Sequence, residues 1–218
     1  MTARLLLAAL LALVLTACGG TAGGSGSARS TDVVRGDTFE EDVQLAKVYG
    51  EQFWKAQFEA LGRTYEPVTE FIPYRGEDGP SCGGEPSTPE NAFYCPDGHF
   101  IAYDRDWLDS FWEKLGDGST YLIILHEIGH AVQAQQGTEF RLNVERELQA
   151  DCYAGAALAG LVKANVLNPE EGDDTELMAN LEAAGDPSDD WFRPDAHGTA
   201  QQRQRAFTNG YANGVGAC

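Results

Sequence analysis

Basic residues are scarce in this chain: 15 Lys and Arg stand against 34 Asp and Glu, and the formal net charge is −19. Such an acidic surface repels the phosphates of nucleic acids and anionic lipid head groups, so we expect no nucleic-acid partner. Much of the acid falls within residues 170–174 and 186–195, which we interpret as solvated loops. Neither stretch has the spacing of an EF-hand loop, which argues against a calcium site of that kind.

The N-terminus lacks an apolar run long enough to cross a membrane. Its apolar stretch extends only from Leu5 to Leu15, which is too short to span a bilayer. The stretch follows Arg4 and leads into Leu15-Thr16-Ala17-Cys18, which is typical of a bacterial lipoprotein signal that ends at its cysteine. The sequence therefore predicts a signal peptide at residues 1–17, cleavage before Cys18, and lipidation of the Cys18 thiol.

Residues 19–30 lack apolar periodicity and consist of Gly, Ser, Ala and Thr with the single charged residue Arg29. This composition is typical of a flexible tether. We predict a tether over residues 18–36 and one folded domain over residues 37–218. The lipid would hold that domain at a membrane on the non-cytoplasmic side, so we expect an extracytoplasmic, membrane-anchored lipoprotein that is monomeric.

Cysteine is infrequent, and no Cys-x-x-Cys pair is present to suggest a cysteine zinc site. Once Cys18 is assigned to lipid, four cysteines remain. They are Cys82, Cys95, Cys152 and Cys218. An even number in an exported domain favours disulfides over free thiols, although four cysteines allow three pairings. We favour Cys82–Cys95, which closes a short loop rich in Gly and Pro, and Cys152–Cys218, which holds the C-terminus.

Histidine is also scarce, and two of the four histidines lie in the pentapeptide His126-Glu127-Ile128-Gly129-His130. On a helix, His126 and His130 are one turn apart on the same face and can share a tetrahedral Zn²⁺. Glu127 would lie beside the metal without binding it, where a carboxylate can take a proton from the attacking water. A chance match is the alternative, but the preceding apolar run, 121–125, would bury unpaired imidazoles at a high cost.

A catalytic zinc site needs a third protein ligand and one open position. A second helical pattern begins near residue 141, and in it Glu147 and Asp151 lie at i and i+4 on one face. If the two helices pack antiparallel across a turn near residues 136–138, Glu147 reaches the metal and Asp151 hydrogen-bonds a ligand imidazole. Exposed carboxylates are the alternative. Glu145 is the rival ligand, but no acidic residue follows it at i+4.

These motifs together resemble the bacterial "putative neutral zinc metallopeptidase" family. The resemblance rests on the His126–His130 pentapeptide and on the run Glu147 to Gly155, and it covers roughly residues 65 to 218. Further matching segments are Phe93–Pro96, Ile101–Asp104 and His197–Arg203, with the terminal Cys218. The resemblance implies a gluzincin-like site with His126, His130 and Glu147 as zinc ligands and Glu127 as the base.

The predicted fold is α+β: a mainly helical, zincin-like domain with a small antiparallel β element beside the active-site helix. We find no internal repeat. The predicted helices are 39–61, 104–115, the zinc helix, the Glu147 helix to about 166, and 199–211. The predicted strands are 67–73 and a hairpin whose strands are 92–95 and 99–103.

We therefore expect a zinc peptidase that cleaves peptide or unfolded protein lying along the hairpin strand. His197 is our catalytic candidate for stabilising the oxyanion, and Tyr103 and Tyr153 are further candidates. A non-catalytic zinc-binding envelope lipoprotein is one alternative, although Glu127 argues against it because a structural zinc site needs no base. An amidase for cell-wall peptides is another, and it would use the same residues.

Overall fold

The computed structural model describes Gly36 and residues 38–218. The predicted signal peptide, the lipidation site Cys18 and the predicted tether up to residue 35 lie outside the described residues. Within the described part, no helix is both long enough and apolar enough to cross a membrane.

The described chain is mainly helical and carries one small sheet, which confirms the predicted α+β class. The helices are α1 (Phe39–Ala60), α2 (Arg105–Leu115), α3 (Gly118–Gln136), α4 (Asn143–Lys163), α5 (Asp173–Ala183) and α6 (Ala200–Asn213), and a short 3-10 helix follows at Val215–Ala217. The strands are β1 (Phe71–Tyr74), β2 (Ala92–Cys95) and β3 (Phe100–Asp104).

The sheet is mixed, whereas the sequence predicted an antiparallel element. Strands β2 and β3 form the predicted antiparallel hairpin. Strand β1 pairs parallel to β3 on the other side, so the order is β1-β3-β2. Residues 75–91 connect the end of β1 to the start of β2, on the other side of β3. Strand β2 then runs opposite to β1, and the hairpin turn reverses the chain again, so β3 runs in the same direction as β1. The predicted strand at 67–73 begins too early, because the structure places only residues 71–74 in β1.

Helix α3 lies at the centre of the core. Its side chains of Ile124, Leu125, Ile128 and Val132 are fully buried, and α1, α2, α4 and α5 all pack against it. A helix that is apolar on almost every face is stable only when neighbours surround it. The His126–His130 segment is therefore held in a rigid, buried element.

Helix α5 was not predicted, because its first turn is acidic and residues 170–174 suggested a solvated loop. That interpretation is wrong for Asp173 and Asp174, which begin the helix. Acidic side chains in a first turn are favourable because they face the positive end of the helix dipole. Leu177 and Leu181, one turn apart, are buried in the core and attach α5 to the domain.

Helices α4 and α6 cross with almost no side chain between them. A Cβ atom on Gly155 would lie 2.1 Å from the carbonyl oxygen of Phe207, and one on Gly210 would lie 1.8 Å from that of Cys152. Only glycine fits at either point. The C-terminus is also tied to α4 by the disulfide Cys152–Cys218, and the loop before β2 is closed by Cys82–Cys95. Both disulfides are the pairs that the sequence favours.

Candidate metal centre

The site forms where α3 and α4 come close together. A Cβ atom on Gly129 would lie 3.2 Å from the backbone oxygen of Ala150 and 3.3 Å from its Cα atom. These distances are tighter than ordinary contacts, so glycine between the two histidines allows the helices to approach. The approach brings the face of α4 that carries Glu147 and Asp151 against the two imidazoles.

His126, His130 and Glu147 are buried together, and their donor atoms lie within 4.8 Å of one another. Nε2 of His126 is 3.2 Å from Oε2 of Glu147, and Nε2 of His130 is 3.5 Å from Oε1. Ligand atoms bound about 2.0–2.1 Å from a tetrahedral zinc are separated by about 3.3–3.4 Å. The three side chains therefore fit Zn²⁺ by both spacing and donor chemistry, and they leave one position for a further ligand.

Each histidine directs Nε2 toward the cluster and is oriented by a hydrogen bond at its second ring nitrogen, Nδ1. Nδ1 of His126 is 2.8 Å from Oδ1 of Asp151, as the sequence predicts, and Nδ1 of His130 is 2.9 Å from Oε1 of Gln133. The Gln133 amide is itself fixed, because its Nε2 donates to the backbone oxygen of Arg146 and to Oε1 of Gln149. An acceptor on Nδ1 keeps Nε2 free for the metal and sets the ring orientation.

Asp151 is fully buried and is paired with Arg203 from α6. Nε of Arg203 lies 2.8 Å from Oδ2, and Nη2 lies 2.7 Å from Oδ1. Burial alone would raise the pKa of Asp151, but the charge and hydrogen bonds of Arg203, together with His126, hold that pKa below its usual range. Asp151 is therefore an ionised acceptor for His126.

The cluster is strongly coupled electrostatically. Burial alone lowers the pKa of His126, but the carboxylates of Asp151 and Glu147 at its two ring nitrogens raise it to about 10. Burial likewise raises the pKa of Glu147, and the two imidazoles outweigh that effect and bring it well below its usual range. Because zinc binds the neutral imidazole, a metal at Nε2 of His126 must displace a proton.

Glu127 is also buried, with 7% of its surface exposed. Within the described part of the chain, no donor forms a hydrogen bond to its carboxylate. Burial alone would lower the pKa of Arg203, but the nearby carboxylates raise it. Asp151 has the largest such effect, Glu147 the next, and Glu127 also contributes. Glu127 is therefore close to the cluster without a protein hydrogen bond, which leaves its oxygens free for water or substrate.

The rival ligand Glu145 has a different position. Its side chain is exposed, and Oε2 accepts hydrogen bonds from the backbone N–H groups of Arg141 and Leu142. Glu145 thereby satisfies donors at the start of α4, as a capping residue does. Of the two glutamates, only Glu147 belongs to the cluster.

Among the described residues, no hydrogen bond, ion pair or ring contact joins the three oxyanion candidates to the cluster. His197 is exposed, and its backbone N–H donates to Oδ2 of Asp186 at 2.7 Å. The hydroxyl of Tyr153 donates to Gln136, and its ring packs edge-on against another aromatic ring of the core. Tyr103 is buried, and burial is the main reason why its pKa is raised.

Sequence reasoning missed three residues that touch the ligands or their partners: Gln133, Arg146 and Arg203. Gln133 follows His130 by three positions and so lies on the same helix face, which was a usable local signal. Arg203 lies inside the matching segment His197–Arg203 but had no role assigned to it. Arg146 directly precedes Glu147, and its Nη2 lies 2.7 Å from Oε1 of that glutamate.

The sheet lies beside this centre. Strand β2 is at one edge of the sheet, and it packs against α3, the helix that carries the two histidines. An edge strand offers unpaired backbone groups on its outer side.

Comparison with known proteins identifies the family of this chain. The chain belongs to the zinc metallopeptidase family described as "Putative neutral zinc metallopeptidase", whose family model matches residues 11–218. It is similar to the Uncharacterized protein YpfJ of Escherichia coli K12, with 34% identity over 189 residues, which are 75% of this chain and 64% of that protein. It is also similar to the Uncharacterized protein Rv2575 of Mycobacterium tuberculosis H37Rv, with 33% identity over 171 residues, 65% of this chain and 58% of that protein.

The chain therefore spans less than two thirds of the length of these relatives. No solved structure matches it.

Proposed function

We propose that this protein is a zinc-dependent peptidase in which His126, His130 and Glu147 hold the metal and Glu127 is the general base. One observation carries the proposal: three buried side chains with the donor set of a catalytic zinc site lie together, close to a carboxylate to which no described donor forms a hydrogen bond. A purely structural zinc site closes its fourth position with protein and has no use for such a carboxylate.

The reaction follows from the placement of these groups. A zinc ion held here would supply a Lewis acid that polarises the scissile carbonyl and makes water more acidic. Glu127 takes a proton from the attacking water as the water oxygen bonds to the carbonyl carbon. The C=O π pair moves to the carbonyl oxygen. When the C–N bond breaks, that pair reforms the C=O bond, and the proton held by Glu127 passes to the leaving amine.

The substrate that suits this site is extended peptide or unfolded protein. The outer side of β2, which pairs with no strand in the part of the chain that the structure describes, supports this choice, because an extended chain can add to an edge strand by backbone hydrogen bonds. A folded protein resists such binding, since its backbone groups are already paired. We propose that backbone pairing between the substrate and β2, the edge strand next to α3, brings the carbonyl of the scissile peptide bond to the metal.

We also propose that the enzyme acts at a membrane surface on the non-cytoplasmic side, anchored by lipid on Cys18. The support is the sequence Leu15-Thr16-Ala17-Cys18 and the tether composition after it. The test is fractionation of cells that express the native chain and the Cys18→Ser variant. We expect the native protein in the membrane fraction and the variant unlipidated, and native protein entirely in the soluble fraction would contradict the anchor.

Two alternatives use the same site: a zinc lipoprotein without turnover and an amidase for cell-wall peptides. One experiment separates all three. The zinc-loaded full chain is incubated with a library of unstructured peptides and, separately, with cell-wall stem peptides, each with and without a chelator. The Glu127→Gln variant controls for contaminating peptidases, and Glu145→Gln, on an exposed residue, controls for loss of one carboxylate.

We expect cleavage of library peptides that stops with chelator and falls at least ~10²-fold in Glu127→Gln, the lower scale for loss of a general base. Glu145→Gln should retain full activity. Cleavage of stem peptides alone would favour the amidase. Zinc binding without cleavage of either substrate class would favour the non-catalytic alternative.

A further inference from the structure

Arg146 holds its guanidinium against the ligand cluster. Nη2 lies 2.7 Å from Oε1 of Glu147, the same oxygen that lies 3.5 Å from Nε2 of His130. Nε donates to Oδ1 of Asn143 at 3.0 Å. The side chain therefore lies one hydrogen bond away from a proposed zinc ligand.

The guanidinium is held in place from several directions. Asn143 is itself fixed, because its Nδ2 donates to the backbone oxygen of Ala196. The backbone oxygen of Arg146 accepts from Gln133, the residue that orients His130. A donor that is already positioned in this way needs little reorganisation when a ligand arrives.

The guanidinium also keeps donors available. Glu147 has a side chain 3% exposed, whereas the Arg146 side chain is 43% exposed. A guanidinium carries five N–H donors. Two of them bind Glu147 and Asn143, and no acceptor for the other three is found among the residues that the structure describes. Arg146 therefore extends from the buried ligand Glu147 toward solvent and carries free donors one hydrogen bond away from the cluster.

Charge balance indicates what these donors bind. Glu147 would bind the metal and also lies beside two imidazoles, so Arg146 is not the sole partner of its carboxylate. With zinc bound, the charges of the metal and Arg146 exceed those of Glu147 and Glu127. Excess positive charge next to an open coordination position favours an anionic oxygen there.

We propose that Arg146 stabilises the oxyanion of the reaction, a role that rests on the proposed peptidase function. As the water oxygen bonds to the carbonyl carbon, the C=O π pair moves to the carbonyl oxygen, and the free N–H groups of Arg146 donate to that oxygen. The pair returns to the C=O bond when the C–N bond breaks. Arg146 takes the place that the sequence suggested for His197, Tyr103 or Tyr153.

The test compares four zinc-loaded forms of the full chain: wild type, Arg146→Gln, Arg146→Lys and the control Arg141→Gln. Arg141 is exposed and lies five positions earlier, so its variant removes the same charge from the same region. Two probes share one dipeptide. An N-phosphoryl dipeptide presents tetrahedral anionic oxygens, and a mercaptoacetyl dipeptide presents only sulfur to the metal. The zinc dissociation constant of each form is measured as well.

In Arg146→Gln we expect the N-phosphoryl probe to bind ~10²-fold more weakly, while mercaptoacetyl binding and zinc affinity change less than ~3-fold. On a cleaved peptide, kcat should fall by a similar ~10²-fold with little change in KM. Arg146→Lys should lie between Gln and wild type, because Lys keeps the charge but lacks the planar fork. Arg141→Gln should match wild type.

Equal weakening of both probes together with weaker zinc binding would overturn the proposal, because Arg146 would then act only by holding Glu147. Unchanged binding of the N-phosphoryl probe, or failure of wild type to bind it, would overturn it too. Peptide cleavage that is unaffected in Arg146→Gln would leave the peptidase function standing and remove Arg146 from it. Selective loss of the N-phosphoryl probe without any peptide cleavage would leave the anion site standing and refute the peptidase function.

Discussion

Arg203 forms a two-bonded ion pair with Asp151, and both side chains are buried between α4 and α6. Asp151 in turn accepts from His126, so a residue of the last helix fixes the orientation of a proposed zinc ligand. Outer partners of this kind tune metal affinity even though they never touch the ion. The pair therefore links the stability of α6 to the affinity of the proposed site for zinc.

The first prediction concerns that pair. Arg203→Met leaves Asp151 buried without its cation, so the free energy of unfolding of the zinc-free protein should fall by ~3–5 kcal/mol. Zinc affinity should fall by ~10–100-fold, because His126 loses its fixed partner. Urea unfolding and chelator competition measure the two effects. Arg205→Met, on an exposed residue two positions later, is the control, and equal results for both variants would contradict the prediction.

The second prediction concerns the third ligand. Glu147→Ala should weaken zinc binding strongly, and His126→Ala or His130→Ala should abolish it, because each removes an atom of the donor set. Glu145→Ala should leave zinc binding unchanged, since that side chain only caps the start of α4. Metal analysis and chelator competition decide the ranking. A larger loss of zinc affinity in Glu145→Ala than in Glu147→Ala would mean that the structure has the wrong helix face toward the metal.

The third prediction compares the two disulfides. Cys82–Cys95 closes a separation of 13 residues, and Cys152–Cys218 closes one of 66 residues. Loss of Cys82–Cys95 should lower the free energy of unfolding by ~2–4 kcal/mol. In the chain-entropy account, loss of Cys152–Cys218 should lower it by about 1.4 kcal/mol more than that, because this disulfide closes the longer loop. Paired Cys→Ser variants in denaturant unfolding test this order. Recovery of free thiols at all four positions in the exported native protein would refute both pairings.

The fourth prediction concerns pH. Burial raises the pKa of Glu51 to about 7, and smaller opposing effects come from the backbone N–H of Val68, which donates to Oε1, and from the nearby Tyr65. Because the folded state binds this proton more tightly than the unfolded state, the contribution of Glu51 to stability is greatest below about pH 4.5 and declines as the pH rises through about 7. The Glu51→Gln variant lacks this decline.

Unfolding of wild type and Glu51→Gln should therefore be compared at pH 5 and pH 8. The advantage of the variant should be larger at pH 8 than at pH 5. Glu59→Gln, on an exposed glutamate of the same helix, should show no such change. A difference between wild type and Glu51→Gln that stays constant with pH would show that Glu51 does not titrate in this range.

Much of the site follows from local periodicity. A helix of 3.6 residues per turn necessarily places His126 above His130, and it places Glu147 above Asp151 on α4. The sequence alone was sufficient for these pairs, for the hairpin at residues 92–103, and for preferring Glu147 over Glu145. An even set of cysteines in an exported pattern likewise sufficed to favour the two disulfides that the structure contains.

Relationships across long stretches of chain were decided only by the tertiary structure. Arg203 reaches Asp151 over 52 positions because glycines let α4 and α6 cross closely, and no local period encodes such a crossing. The parallel pairing of β1 with β3 depends on the path of residues 75–91. The free donors of Arg146 depend on the direction in which a half-exposed side chain leaves its helix. Periodicity determines which residues share a face, whereas packing determines what that face meets.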